Sequence, residues 1–461
     1  MITMYKKKTE TYKEYKQRII DPISDSFCAA KWLNATVWLN AGRTASCHHP
    51  TAHDIDIEAI KKNPSALHNT IFKKQVRKQM LEGTRPEECD YCWKIEDMGV
   101  DAISDRTFKT VIYDEASIKE ISTRWEHDEK LQTLEIAFDR VCNFACMYCN
   151  ASVSTTWAKD IRKNGPYENL HSKDAGDFTN NGDWAEPFSK DENPYIKAFW
   201  DWWPELSTSL KQLRITGGEP LMAAEVWKIL DHLGSTNKID LAINSNLGCK
   251  DELIDRLIER SKSVSNLKIY TSAEAHGMQC NYIRDGMDYT KWFANCDKIL
   301  RTSQIVGLSV MMTINALSLE SMCSLLDDIL VLKSRHNRII PVSFSVNILR
   351  FPSFMSVLIL PDEIRNKYKL NLIEWINNNK SHPFLTKMEL ASLGRLIEYL
   401  DLAAKPYGST NELKMLHQDF KHFFEQYDIR RDKSFTSTFS QELADWFNSI
   451  KKNAFIPIKQ A

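Results

Sequence analysis

The 461-residue sequence predicts an α/β fold. A parallel sheet curved into a TIM-like barrel is preceded by a cysteine-rich region and followed by a helical extension. The first observation behind this is an alternation of strand-like and helix-like segments from about residue 131 onward. The second is that the turns richest in cysteine, glycine and asparagine fall at the C-terminal ends of candidate strands, where barrels of this class carry their chemistry. The third is that strand signal stops after about residue 380, where apolar residues recur at helical spacing.

Taken in chain order, Met1 to Arg18 is rich in lysine and tyrosine and has no apolar run. It is expected not to be a secretory signal, and residues 1–20 are expected to be flexible. Lys73 to Leu81 reads as a helix ended at Gly83, and Arg85-Pro86-Glu87-Glu88 leads into a cysteine pair. Leu134 to Phe138 reads as a strand running into a cysteine triplet, and Leu213 to Thr216 as a second strand ending in Gly217-Gly218-Glu219-Pro220. Further strands are expected at Asp240 to Ser245, Leu267 to Ser272, Leu308 to Ile314 and Pro341 to Leu349. Helical patterns separate them at Ala223 to Leu233, Glu252 to Arg260, Tyr289 to Arg301, Leu319 to Leu332 and Asp362 to Asn377. Lys163 to Pro194 is polar and nearly free of aliphatics, and is expected to be a flexible surface insertion, with an active-site lid as the alternative. Amphipathic runs follow at Leu385 to Ala403, Leu413 to Tyr427 and Phe439 to Ile450. The expected domains are a flexible tail (1–20), a cysteine-rich domain (21–125), the barrel (126–355) and the helical extension (356–461).

Hydrophobic residues make up 43% and charged residues 26%, a balance that supports a sizeable buried core. The formal net charge of −1 argues against a basic nucleic-acid clamp, so no nucleic-acid partner is expected. No apolar run is long enough for a membrane-spanning helix. The expected location is the cytoplasm, where eleven cysteines point to metal or catalytic chemistry rather than a disulfide scaffold.

Cys142, Cys146 and Cys149 have the spacing C-x3-C-x2-C. Three thiolates on one short loop can hold three irons of a [4Fe–4S] cube and leave the fourth open to a chelating molecule. A structural zinc site fits this spacing less well, since zinc knuckles favour two separated C-x2-C pairs.

With Tyr148 before the third cysteine and Gly217-Gly218-Glu219-Pro220 after the second strand, the sequence resembles the radical S-adenosylmethionine (SAM) superfamily over roughly residues 131–350. The resemblance implies a partial (β/α)6 barrel that binds SAM at the open iron, with Cys142, Cys146 and Cys149 as ligands. It also implies cleavage of SAM to methionine and a 5′-deoxyadenosyl radical that abstracts a substrate hydrogen. Gly217, Gly218 and Glu219 would meet the methionyl amine, and Thr216 and Tyr148 would also lie against SAM. Thr271-Ser272-Ala273-Glu274 resembles the Ser-x-Asp segment of peptide-modifying members, so Ser272 would touch the ribose. Arg284, in a stretch resembling their Arg-x-Gly, would grip the methionyl carboxylate. Asn244, with Ser245, Asn246 and Asn315, ends a strand and could face SAM or substrate, or simply cap a turn.

A second set, Cys28, Cys47, Cys89 and Cys92, precedes the barrel and suffices to enclose either a second [4Fe–4S] cluster or a zinc ion. His48 and His49 are possible substitute ligands. The segment from Cys28 to Cys47 resembles the opening of SPASM and twitch auxiliary-cluster domains, although those normally follow the barrel. The expected function is a radical SAM oxidoreductase or transferase modifying a peptide or protein by oxidation, cross-linking or epimerisation. A flavodoxin or ferredoxin would serve as reductant. The alternatives are a radical SAM dehydrogenase or biosynthetic enzyme for a small molecule, and a non-catalytic iron–sulfur or zinc scaffold.

Overall fold

The computed structural model describes residues 4–99, 102–180, 192–234, 238–402 and 410–451. The chain forms two compact units, each assembled from separated stretches. The first takes Met1–Asp139, Glu186–Gly217 and Lys238–Leu241; the second takes Arg140–Ala185, Gly218–Asn237 and Ala242–Ala461.

In the first unit, strands β1 (Asn34–Trp38), β2 (Arg43–Ala45) and β3 (His53–Asp54) come from the cysteine-rich region. β1 carries Ala35, Thr36 and Val37 buried on consecutive positions, the pattern of a strand covered on both faces. It is flanked on one side by β2, antiparallel, and on the other by β4 (Thr133–Ala137), parallel, with Val37 opposite Ile136. β5 (Ala145–Cys146) lies outside this sheet, while β6 (Gln212–Thr216) joins β4 in parallel. Residues of the expected cysteine-rich domain therefore share one sheet with strands expected in the barrel. The strands of the N-terminal region escaped sequence reading because each is short and broken by polar residues.

A helix at Ile71–Leu81 starts where Thr70 Oγ1 accepts the Lys73 N–H, and ends before Gly83, whose φ is +79°. The tail expected to be flexible contains a helical stretch, Tyr12–Ile20, whose Tyr15 and Ile20 are buried against Phe27 and Trp32. Residues 1–3 lie outside the described residues.

β7 (Asp240–Asn244) carries the chain from the first unit into the second. There β8 (Leu267–Ser272), β10 (Gly307–Ile314) and β11 (Val342–Ile348) run parallel, with β10 between the other two. A short β9 (Arg284–Asp285) pairs with β5 instead. The intervening helices are Ala224–His232, Asp251–Ser261, Tyr289–Thr302 and Met322–His336. The strands and helices expected after residue 133 lie within a few residues of their expected positions, but the helices Thr155–Asn164, Pro194–Ser209 and Gly277–Ile283 are not among those expected. This is an α/β fold with a parallel sheet.

The insertion at 163–194 is not a solvated loop throughout. Tyr167 and Phe178 are buried, and both rings pack with Trp157 and Phe423. Two aromatic residues among many polar ones suffice to anchor it; residues 181–191 lie outside the described residues. Beyond residue 360 the structure is helical at Asp362–Asn379, Lys387–Leu400, Thr410–Arg431, Phe435–Thr438 and Gln441–Ser449. Ala403 and residues 452–461 lie outside the described residues. No helix among the described residues is long and apolar enough to cross a membrane.

Candidate functional site

The cysteine triplet occupies a loop of the second unit that is held by its backbone. Ser154 Oγ donates to the Phe144 carbonyl at 2.8 Å, Thr156 Oγ1 to that of Cys142 at 2.6 Å, and Trp157 Nε1 to that of Cys146 at 2.9 Å. β5 lies antiparallel to β9, which sets Cys146 opposite Arg284. Cys146 is buried, while Cys142 and Cys149 are half-buried. Burial pushes the Cys142 thiol up to about 12, opposed by the Phe144 N–H that it accepts at 3.4 Å.

Behind Cys146 lies a buried polar network. Arg284 places Nε at 3.0 Å and Nη2 at 2.8 Å from Glu274 Oε2, and Nη2 also donates to Tyr148 Oη at 2.6 Å. Tyr148 Oη donates to Glu274 Oε1 at 3.0 Å, and Arg284 Nη1 lies 3.7 Å from Cys146 Sγ. Burial raises the Glu274 carboxyl above the usual range, while Arg284 pulls it back. Much of the Arg284 fork is thus engaged by Glu274, leaving Nη1 facing the thiol. Glu274 stands where the resembled Ser-x-Asp segment has Asp, and nothing in the sequence signals that it pairs with Arg284.

The Gly217-Gly218-Glu219-Pro220 turn leaves no space for side chains at its first two positions. A Cβ at Gly217 (φ +132°) would fall 2.8 Å from the Asp139 carbonyl oxygen. One at Gly218 would fall 2.4 Å from that of Val141 and 2.6 Å from that of Arg140. Glu219 donates its N–H to the Val141 carbonyl at 2.7 Å. Its carboxylate accepts from Leu221 N at 3.1 Å, Ser245 Oγ at 2.7 Å and Asn246 N at 2.6 Å. Burial nevertheless pushes Glu219 up to about 7. Asn246 Nδ2 donates to Asn143 Oδ1 at 2.9 Å, and Asn143 Nδ2 to the Gly248 carbonyl at 2.9 Å. One network therefore links the cysteine loop, the glycine turn and the loop after β7. Sequence reading missed Asn143, whose position inside the cysteine motif was the available signal.

The remaining candidates are more dispersed. Thr216 ends β6 and donates to the Ile136 carbonyl at 3.4 Å. Asn244 Nδ2 lies 3.9 Å from Met311 Sδ. Ser272 ends β8 and is half-buried, whereas Asn315 is buried and spends its amide on the Thr313 carbonyl and the Leu317 N–H. An open cleft of about 490 Å³ in the second unit is lined by Tyr148, Asn150, Asp174, Asp177, Phe178 and Phe351.

The four N-terminal cysteines meet in the first unit. Cys28, Cys47, Cys89 and Cys92 line a single small pocket. Cys28 precedes the short helix Ala30–Leu33, Cys47 follows β2, and Cys89 and Cys92 stand one helical turn apart at the start of Asp90–Glu96. Burial pushes Cys28 up to about 12, reinforced by the three other thiols. A tetrahedral zinc would draw four sulfurs to within roughly 4 Å of one another, from its ~2.3 Å Zn–S bonds. Among the described residues, the trio of ligand atoms gathered within 4.8 Å is His48, His49 and Asp105, not the thiols. His49 Nε2 donates to Asp105 Oδ2 at 2.6 Å, and its ring stacks on Tyr91 at 3.8 Å.

No family model and no curated protein matches the chain. Among solved structures it is similar to Streptococcus suis SuiB bound to precursor peptide SuiA, at 12% identity and a TM-score of 0.37, over 80% of this chain and 74% of that one. SuiB bound to S-adenosylmethionine gives 13% identity and a TM-score of 0.36, over 80% and 76%. Native anSMEcpe with bound AdoMet and a Cp18Cys peptide gives 12% identity and a TM-score of 0.30, over 54% and 60%.

Proposed function

We propose that this chain is a radical SAM enzyme acting on a peptide or protein. The observation that carries the reading is the fit between two motifs some 70 residues apart in sequence. Gly218 and Glu219 lie on the carbonyls of Arg140 and Val141, immediately before Cys142, where any side chain at 218 would collide. The donor set suits the cofactor: Cys142, Cys146 and Cys149 would hold a [4Fe–4S] cluster with one iron left for SAM. When bound, that cluster supplies the electron that splits SAM into methionine and a 5′-deoxyadenosyl radical.

This chain's own residues bind and orient. Thr216, Gly217 and Gly218 offer close backbone approach to the methionyl end, and Glu219 braces the turn against Ser245 and Asn246. Arg284, steadied by Glu274 and Tyr148, faces Cys146 and is placed to share its Nη1 with a carboxylate. Asn244 and Ser272, at the ends of their strands, are assigned to SAM or substrate. The cleft beside Tyr148 and Asn150 is large enough for a polypeptide side chain and its neighbours. Cys28, Cys47, Cys89 and Cys92 line one pocket and would hold an auxiliary [4Fe–4S] cluster, with a zinc ion as the alternative that the same four thiols could take. A flavodoxin or ferredoxin is the class of reductant implied.

The test is anaerobic reconstitution with iron and sulfide, followed by dithionite and SAM. The parent chain is expected to form 5′-deoxyadenosine, and the variant with Cys142, Cys146 and Cys149 all replaced by Ala is expected to form none. A fully loaded parent that makes no 5′-deoxyadenosine, even with candidate peptides, would return the chain to the scaffold reading.

A further inference from the structure

The wall of the N-terminal cavity contains a cation that none of the preceding chemistry uses. Lys31 is only 2% exposed, lines the four-thiol cavity and pairs with Glu88. Its backbone N–H donates to the Cys28 carbonyl at 3.0 Å, while its ammonium reaches the residue next to Cys89. Lys31 therefore straddles two of the four cysteines. Nearby, fully buried Lys73 donates to Thr44 Oγ1 at 2.8 Å and to the Ala45 carbonyl at 3.1 Å, both neutral acceptors. Buried Arg77 donates to the Lys31 carbonyl at 2.9 Å. Arg106, on the cavity wall, is already neutralised by Glu96 at 2.6 Å.

Burial disfavours the charge on Lys73, whereas Lys31 keeps its charge through Glu88 and would gain further from a second anion beside it. A [4Fe–4S] cluster bound by four thiolates is such an anion: dianionic when oxidised and trianionic after gaining one electron, with no bond made or broken. An ammonium at its edge favours the more negative state.

We propose that Lys31 is a positioning residue that stabilises the reduced form of the N-terminal centre, and so makes that centre an electron acceptor. The proposal rests on the reading that the four thiols hold an iron–sulfur cluster. Glu88 opposes Lys31, so the two residues must act with opposite sign.

The experiment uses the full chain with Cys142, Cys146 and Cys149 replaced by Ala, so that only the N-terminal centre carries iron. Its midpoint potential is read by electron paramagnetic resonance during a dithionite titration. Poised where this parent is half reduced, Lys31→Met is expected to show a reduced-to-oxidised ratio roughly tenfold lower. Lys31→Arg should restore most of that ratio, and Glu88→Gln should raise it. Unchanged midpoints in both Lys31→Met and Glu88→Gln at parental iron content overturn the proposal. If Lys31→Met fails to hold iron, Glu88→Gln alone decides, and an unmoved or lowered midpoint there also overturns it. Stoichiometric zinc and no redox signal in the parent would defeat the cluster reading itself, a result that metal analysis distinguishes from an unmoved potential.

Discussion

Glu219 is an acid held in a place that disfavours its charge. Burial lifts it from 4.5 to about 7, although three donors pull the other way. The folded state therefore binds this proton more tightly than the unfolded one, so its contribution to stability falls as pH rises from the unfolded value through about 7. Glu219→Gln removes the titration while keeping an acceptor for Asn246. The stability difference is expected to move in the variant's favour as pH rises from about 5 to about 8, by at most roughly 3 kcal/mol, on top of a constant cost for the amide NH2 that must face one of the three donors. Denaturant melts of both proteins across that range provide the check, and parallel curves would contradict it. The Arg284–Glu274 pair has the opposite character, since each charge needs the other in a site closed to water. Glu274→Gln strands the guanidinium and is expected to cost about 3 kcal/mol or more, whereas Tyr148→Phe removes one shared hydroxyl and should cost about 1 kcal/mol. Equilibrium unfolding of the two variants side by side tests that ordering.

Among the elements, the glycine turn shows why some of the site was legible in sequence and some was not. The strand at 212–216 and its Gly-Gly ending were readable, because a strand pattern stopped at residues that only close backbone packing favours. What the turn packs on was not readable: the carbonyls of Asp139, Arg140 and Val141 are nearly 80 residues away in sequence. Gly218→Ala is therefore expected to do more than its small volume suggests. With a Cβ meeting two carbonyl oxygens, the turn and the cysteine loop must part, and the cluster proposed for Cys142, Cys146 and Cys149 should load poorly. Iron analysis after reconstitution should show the loss in Gly218→Ala but not in Gly234→Ala, since a Cβ at Gly234 meets no atom within 4 Å. The same logic explains the missed N-terminal strands. β1 is five residues long and becomes a strand only because β2 and β4 flank it. The cysteine spacing needed no such partners, which is why both thiol sets were visible from the start.

For the molecule as a whole, the two cysteine sets fall in different units and share no ligand. Reconstitution should accordingly load about eight irons and eight sulfides per chain, four of each per cube. Replacing either set should halve both counts and leave the other centre spectroscopically intact. A count near four with one tight zinc would contradict this. In the second unit, the helix Thr410–Arg431 supplies support that no motif in the sequence announces. Arg431 lies 4.5 Å above the ring of Trp157, whose indole holds the Cys146 carbonyl, and Tyr427 donates to the Tyr282 carbonyl at 2.9 Å. Through Arg431 and Trp157 this one helix braces the cysteine loop.

The parallel pairing of β1 with β4, and of β4 with β6, also has a consequence for biogenesis. Cys28, Cys47, Cys89 and Cys92 emerge early from the ribosome, yet the sheet of their unit needs residues 133–137 and 212–216. At ~5–20 residues per second, the interval between Cys92 and Leu241, the last residue of that unit, is on the order of 10 s. During it the thiols belong to an incomplete nascent chain, open to oxidation or to stray metal. For the proposed auxiliary cluster to form there, a cell making this protein would have to shield that segment or insert the cluster after synthesis has passed the second half of the sheet.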